Sequence, residues 1–219
     1  MGSMTTLRQA ETAATPQPAA AIDARWKLAP LAGMTLLLAL PGIAIQAGLL
    51  PFGARVYALL IVSAICFAIC RWAGFGLTDL GLGKPHRLQH WIGSLAITAA
   101  IAAVMLLQTP IFTFDSKPPA WLSFAPFYVL VSSPCQEVVC RSIPKLLTDR
   151  LQRGGWAYVV YSAAMFSLIH LCYGDPALLL NTFLLGVVWG IAYWRMLNVW
   201  PLIVSHAAIG ILAFSLGMA

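Results

Sequence analysis

The sequence predicts an all-α protein, a polytopic integral membrane helical bundle, and three observations predict it. Hydrophobic residues fill 60% of the 219 positions and charged residues only 9%, against roughly 25% charged in an ordinary soluble domain. Apolar runs close to the roughly 17–25 residues that cross a hydrocarbon core recur along the chain. The 13 Lys and Arg residues are scattered between those runs. Scattered basic residues read as topology signals, and no basic patch calls for a nucleic-acid partner.

Residues 1 to about 24 are rich in Ala, Thr, Pro and Gln without an apolar period, and are expected to form a disordered cytoplasmic tail. Residues 25–219 then make a single multi-pass membrane domain. The first apolar run starts too late and is too long for a cleaved signal peptide, so it is expected to stay as a membrane anchor. Seven spans follow, at about 28–50, 54–72, 91–107, 121–140, 156–172, 176–194 and 198–218, with an eighth, re-entrant element as the alternative. A locally thin bilayer, or helix tilt elsewhere in the bundle, accommodates the short third and fifth. Pro30, Pro41, Pro126 and Pro134 predict kinks or breaks.

The connections support this division. Arg8, Arg25, Lys27, Arg71, Lys84, Arg87, Arg141, Lys145, Arg150, Arg153 and Arg195 make eleven basic residues on one side, against Arg55 and Lys117 on the other. Cytoplasmic loops carry the excess, which places the N-terminus in the cytoplasm. The stretches "GFGLTDLGLGKPHRLQH" and "SIPKLLTDRLQRGG" suit loops or short helices lying at the cytoplasmic interface. His86 and His90, in the first of them, read as facing water or headgroups. Cys66, Cys70, Cys135, Cys140 and Cys172 contain no CxxC pair, so no disulfide framework is expected.

With the spans drawn, the ionisable residues inside or bordering them reduce to Glu137, Arg141, His170 and His206, with Arg71 and Arg195 at span ends. A charge at the bilayer centre costs on the order of 2.5–3.5 kcal/mol on insertion scales, so such groups pair, face a cavity or do chemistry. In "SSPCQEVVCRS", Glu137 and Arg141 are four residues apart and share one helix face, where carboxylate and guanidinium offset each other's cost. That pair alone has a structural explanation. The histidines on later spans do not, because an imidazole holds a water, donates to an oxyanion or ligates a metal, and lipid packing gives it no task. Convergence on a buried polar cavity is therefore expected. "FSLIH" sets Phe166 and His170 one turn apart, and Gly186 and Gly190 in "FLLGVVWG" are a small-xxx-small pair for close helix approach.

The order "QEVVCR", "FSLIH", "FLLGVVWG", "HAAIG" resembles the CAAX protease and bacteriocin-processing (CPBP, or Abi) family of glutamic-type intramembrane proteases, with the family-like core at about 121–219. Its signature runs Glu-Glu-xxx-Arg, Phe-xxx-His, a Gly-containing helix, and His-xxx-Asn. The resemblance implies an intramembrane endopeptidase that hydrolyses a peptide bond of a membrane-associated protein or peptide. The first Glu and the second-motif His activate water, and the last His and the Asn stabilise the oxyanion. It marks Gln136, Glu137, Arg141, His170 and His206 as the catalytic set. Two positions depart from the pattern. Gln136 stands where the base is expected, so either Glu137 is the base or the chain is a reduced-activity or inactive variant. Gly210 stands where the Asn is expected, and losing one oxyanion donor costs about 100- to 1,000-fold in rate.

Three rivals share these residues. Glu137, His170 and His206 supply ligand types for a zinc-dependent membrane protease, although no HExxH occurs. Cysteine chemistry would use Cys135, Cys140 or Cys172, and Ser132, Ser133 and Ser205 lack a GxSxG context. A non-catalytic family member, acting as an immunity factor or scaffold, is the reading that Gln136 and Gly210 favour. The expected partners are a protein or peptide substrate and the lipid bilayer, with no cofactor. The expected location is a bacterial inner membrane.

Overall fold

The computed structural model describes residues 29–83, 87–109 and 119–218. The expected N-terminal tail, His86 and Lys117 lie outside the described residues. Among those described, the ordered elements are all helical. Helix α1 is Ala29–Gln46, α2 is Ala54–Trp72 and α3 is Leu88–Gln108. Helix α4 runs without interruption over 121–150. Helix α5 is Gly155–Leu168, followed by a tight turn at Leu171–Tyr173; α6 is Pro176–Met196 and α7 is Trp200–Ser215.

Five segments are long and apolar enough to cross a membrane: α1, α2, α3, Gly155–Tyr173 and α6. Helix α7 is apolar but shorter. Leu95, Leu107 and Leu130 are about seven-tenths exposed on the outside of the bundle, as lipid-facing side chains would be, while the interior holds Glu137 and Arg141 at 0% exposure. This is the inverse of a soluble domain's distribution.

Helix α4 corrects two expectations. It does not end near residue 140, and 142–150 continues the helix. Nor does Pro134 break it. Two widened π turns, Tyr128–Ser132 and Val138–Ser142, immediately precede the helical segments that open with Pro134 and Pro144 near their starts. A proline lacks the N–H that would bond the carbonyl four residues back, and a π turn absorbs that mismatch without ending the helix. The carbonyl that Pro144 leaves free, Cys140 O, accepts from Ser162 Oγ at 2.6 Å. Pro30 lies in the first turn of α1, where proline is tolerated, and α1 and α4 continue through Pro41 and Pro126.

Helices α5 and α6 approach closely because Gly186 has no side chain: a Cβ there would lie 2.7 Å from Ala163 Cα. Gly190, at 3.6 Å from Val159 Cα, makes only ordinary contact. Helices α3 and α7 run parallel, with Ser94 Oγ donating to Pro201 O at 2.7 Å and Thr98 Oγ1 to Ser205 Oγ at 2.6 Å.

The stretch after α2 packs in part into the bundle. Leu80 is wholly buried, Ser142 Oγ donates to its carbonyl at 2.6 Å, and Val199 N donates to Gly81 O at 3.0 Å. Gly81 adopts φ +68°, and a Cβ on it would sit 2.6 Å from Tyr193 Oη. Glycine is required there on both counts. The turn closes the end of the bundle between α4, α6 and α7.

Candidate active site

The centre is Glu137, on α4 between the two π turns. His206 Nδ1 from α7 lies 2.8 Å from its Oε1. Arg141 Nε lies 3.4 Å from its Oε2 as an ion pair, without hydrogen-bond geometry. Arg141 Nη1 donates to Ser162 Oγ at 2.9 Å and to Ser162 O at 3.2 Å, which ties the pair to α5. Breaking a buried pair of this kind costs far more than its net contribution to folding, so both partners are needed together.

Aromatic rings enclose the cluster. The Arg141 guanidinium lies 4.7 Å from the centre of the Phe166 ring. The His206 ring stacks on Trp189 at 5.0 Å and 18°, and meets the edge of Phe166 at 5.3 Å. Trp189 is held in turn by its Nε1–H donating to Ser205 Oγ at 3.1 Å. These contacts leave His206 little freedom to rotate.

His170 lies just past the end of α5. Its Nδ1 is 2.7 Å from Phe166 O. A carbonyl only accepts, so this contact assigns the hydrogen to Nδ1 and leaves Nε2 of the neutral ring as an acceptor. Gln136 donates from Nε2 to Ser132 Oγ at 2.8 Å, and its Oε1 has no partner among the described residues.

A cavity of about 870 Å³ adjoins the cluster. Gln136, His170 and His206 line it, together with Tyr128, Ser132 and Gly210. Most of the remaining lining is apolar, as with Leu38, Val62 and Val188. Glu137 and Arg141 are not on the wall; they lie behind it, and Glu137 reaches the wall through His206. The five residues singled out in the sequence thus divide into three that line the cavity and two that support them.

Sequence reasoning missed Ser162, Trp189 and Tyr128. Ser132 has a legible signal, since it stands four residues before Gln136 on the same helix face. Tyr128 lies four residues earlier again on the same helix, whereas Ser162 and Trp189 are joined to the site only by the packing of separate helices. For the zinc alternative, no three His, Cys, Asp or Glu side chains among the described residues are grouped to hold a metal ion. Both Glu137 oxygens face His206 or Arg141 instead.

Buried carboxylate, guanidinium and imidazole groups within apolar, membrane-length helices define a multi-pass membrane protein with a polar cluster in its interior. Residues 118–212 match the family described as type II CAAX prenyl endopeptidase Rce1-like. That segment contains every residue of the cluster and is similar to the CAAX protease family. No curated protein and no solved structure matches the chain.

Proposed function

We propose that this chain is a seven-span, glutamic-type intramembrane endopeptidase, with His170 and position 136 as the water-activating pair and His206 as the oxyanion donor. The observation that carries the reading is the 2.8 Å contact between Glu137 and His206 directly behind the cavity wall. A protonated His206 donates Nδ1–H to Glu137 and presents Nε2–H toward the cavity, where a tetrahedral oxyanion would form. Glu137 is then a positioning group, held by Arg141, and not the base, because its oxygens are turned away from the cavity.

Water activation falls to His170 Nε2, whose lone pair the Phe166 contact leaves free. Gln136 can hold a water through its unpartnered Oε1 but cannot take its proton. The same 2.8 Å contact with Ser132 would serve a carboxylate, since a hydroxyl donates as readily as it accepts. The protein as written therefore hydrolyses slowly, with imidazole as its only base at the wall. After attack, the proton passes from His170 to the departing amine.

The family description names prenylated CAAX substrates; for this chain the mostly apolar cavity supports an apolar peptide segment as substrate. The non-catalytic reading keeps one specific observation in its favour, the amide at position 136. A screen of membrane-anchored reporter peptides, co-expressed with the wild type and with Gln136→Glu, separates the two. Cleavage dependent on His170 supports the protease, and the absence of cleavage by both forms across the reporter set removes it.

A further inference from the structure

The cavity reaches one face of the bundle, and the contacts between helix ends show which. Gln46, at the end of α1, donates from Nε2 to Cys172 O at 2.8 Å, and Phe52, just before α2, meets the Tyr173 ring at 5.3 Å. Phe124 at the start of α4 packs on Phe214 at the end of α7, with ring centres 4.5 Å apart. Helix α3 runs parallel to α7, so its end at Gln108 belongs to the same face. The lining extends to this face through Phe52, Gln108, Pro119, Tyr173, Phe214 and Met218.

The opposite face carries the connections 73–83, 151–154 and 197–199, and no described residue of these lines the cavity. It is closed by packed side chains: Leu80, Val199 and Leu202 are each 0% exposed and Tyr193 is 1%. The inserted turn at Leu80 and Gly81 forms that closure.

Charge then assigns the faces. Arg141 is buried in the site and leaves the loop count, so ten Lys and Arg residues fall by their place in the sequence on the closed side, against Arg55 and Lys117 on the open side. The closed side is the one that faces the cytoplasm.

We propose that the cavity opens to the extracytoplasmic side of the membrane and takes the apolar, anchor-proximal segment of an exported polypeptide. The occupant rests on the protease reading; the direction of opening does not. A cytoplasmic substrate would have to pass the closure at Leu80 and Val199 to reach His170, whereas one outside meets the open end.

Substituted-cysteine labelling tests this on the full chain in intact bacterial cells, with a charged, membrane-impermeant maleimide and the wild type as background for the five native thiols. Leu49→Cys reports the open face, where Leu49 is 77% exposed; Arg153→Cys reports the closed face; Asn181→Cys and Met218→Cys report the cavity. The expected result is labelling of Leu49→Cys and of both cavity reporters on intact cells, with Arg153→Cys labelled only after permeabilisation. Labelling of Arg153→Cys alone on intact cells overturns the orientation. Labelling of Leu49→Cys with both cavity reporters silent overturns the opening. No cleavage enters these readouts. Anchored reporters displayed on either side then test the occupant, which cutting of the cytoplasmic reporter alone, or of neither, overturns.

Discussion

The Tyr128 hydroxyl occupies the space that any side chain at Gly210 would need: a Cβ built on Gly210 overlaps the hydroxyl and the ring carbons beside it. The tyrosine therefore stands where the Asn of the resembled family would project, next to His206, with ring centres 5.9 Å apart. Restoring that residue by Gly210→Asn should not improve the protein. The expected outcome is a loss of about 1–3 kcal/mol from overpacking, read as lower thermal stability in detergent. Tyr128→Ala combined with Gly210→Asn should recover most of it. Tyr128→Phe, which keeps the ring and removes the donor, should lower turnover by about 100- to 1,000-fold if the hydroxyl assists the oxyanion.

Glu137→Gln should unfold the site rather than merely slow it. The substitution leaves the Arg141 guanidinium, 0% exposed, without its counter-charge. Removing one partner of a buried pair costs about 3–5 kcal/mol. Detergent melting curves check this, and an unchanged melting temperature would mean that Ser162 alone sustains Arg141.

The two histidines should behave differently. His170→Ala removes a group whose hydrogen bond is to one backbone carbonyl, so processing is lost while the folded protein is still recovered in detergent. His206→Ala abolishes processing too, but it also strips Glu137 of its partner. A stability loss of about 1–3 kcal/mol accompanies it, the cost of leaving a buried acceptor unsatisfied. Full processing by either variant in a cell-based cleavage assay would remove that residue from the mechanism.

Much of this was legible in the sequence because membrane helices announce themselves by apolar length and because charge is rare inside them. The starts of α2, α4, α5, α6 and α7 fall within two residues of the expected spans, and Glu137 and Arg141 pair as their spacing requires. What was not legible depends on contacts between distant segments. Pro144 explains the second π turn, yet a proline that widens a helix and one that ends it look alike in sequence. The stretch around Leu80 reads as glycines mixed with Leu and basic residues, and the burial of Leu80 with the carbonyl acceptors offered to Ser142 and Val199 shows that it is part of the core.

That buried turn is itself testable. Leu80→Ala empties a site that is 0% exposed. It should cost about 2–5 kcal/mol, as for a large-to-small change in a packed core. The neighbouring Leu77, 53% exposed, should tolerate alanine with little effect on the melting temperature. Equal tolerance at both positions would mean that the turn does not close the bundle.

The decisive substitution is Gln136→Glu. Position 136 lines the cavity, Glu137 does not, and the two side chains are committed to different partners: Ser132 for the first, His206 and Arg141 for the second. A carboxylate at 136 can accept from Ser132 with one oxygen and take a proton from water with the other, in the cavity that His170 also lines. A positioned general base contributes roughly 100- to 10,000-fold; since His170 already supplies part of that, a gain of at least about tenfold in cleavage is expected. Gln136 lines the cavity and has no ionic partner to lose, so the melting temperature should change less than in Glu137→Gln, which separates the two variants. If Gln136→Glu leaves a measurable rate unchanged while Glu137→Gln abolishes it in a protein that still melts normally, the base is Glu137 and the two roles exchange. If neither form cleaves any reporter that reaches the cavity, the amide marks a protein that binds its partner without cutting it.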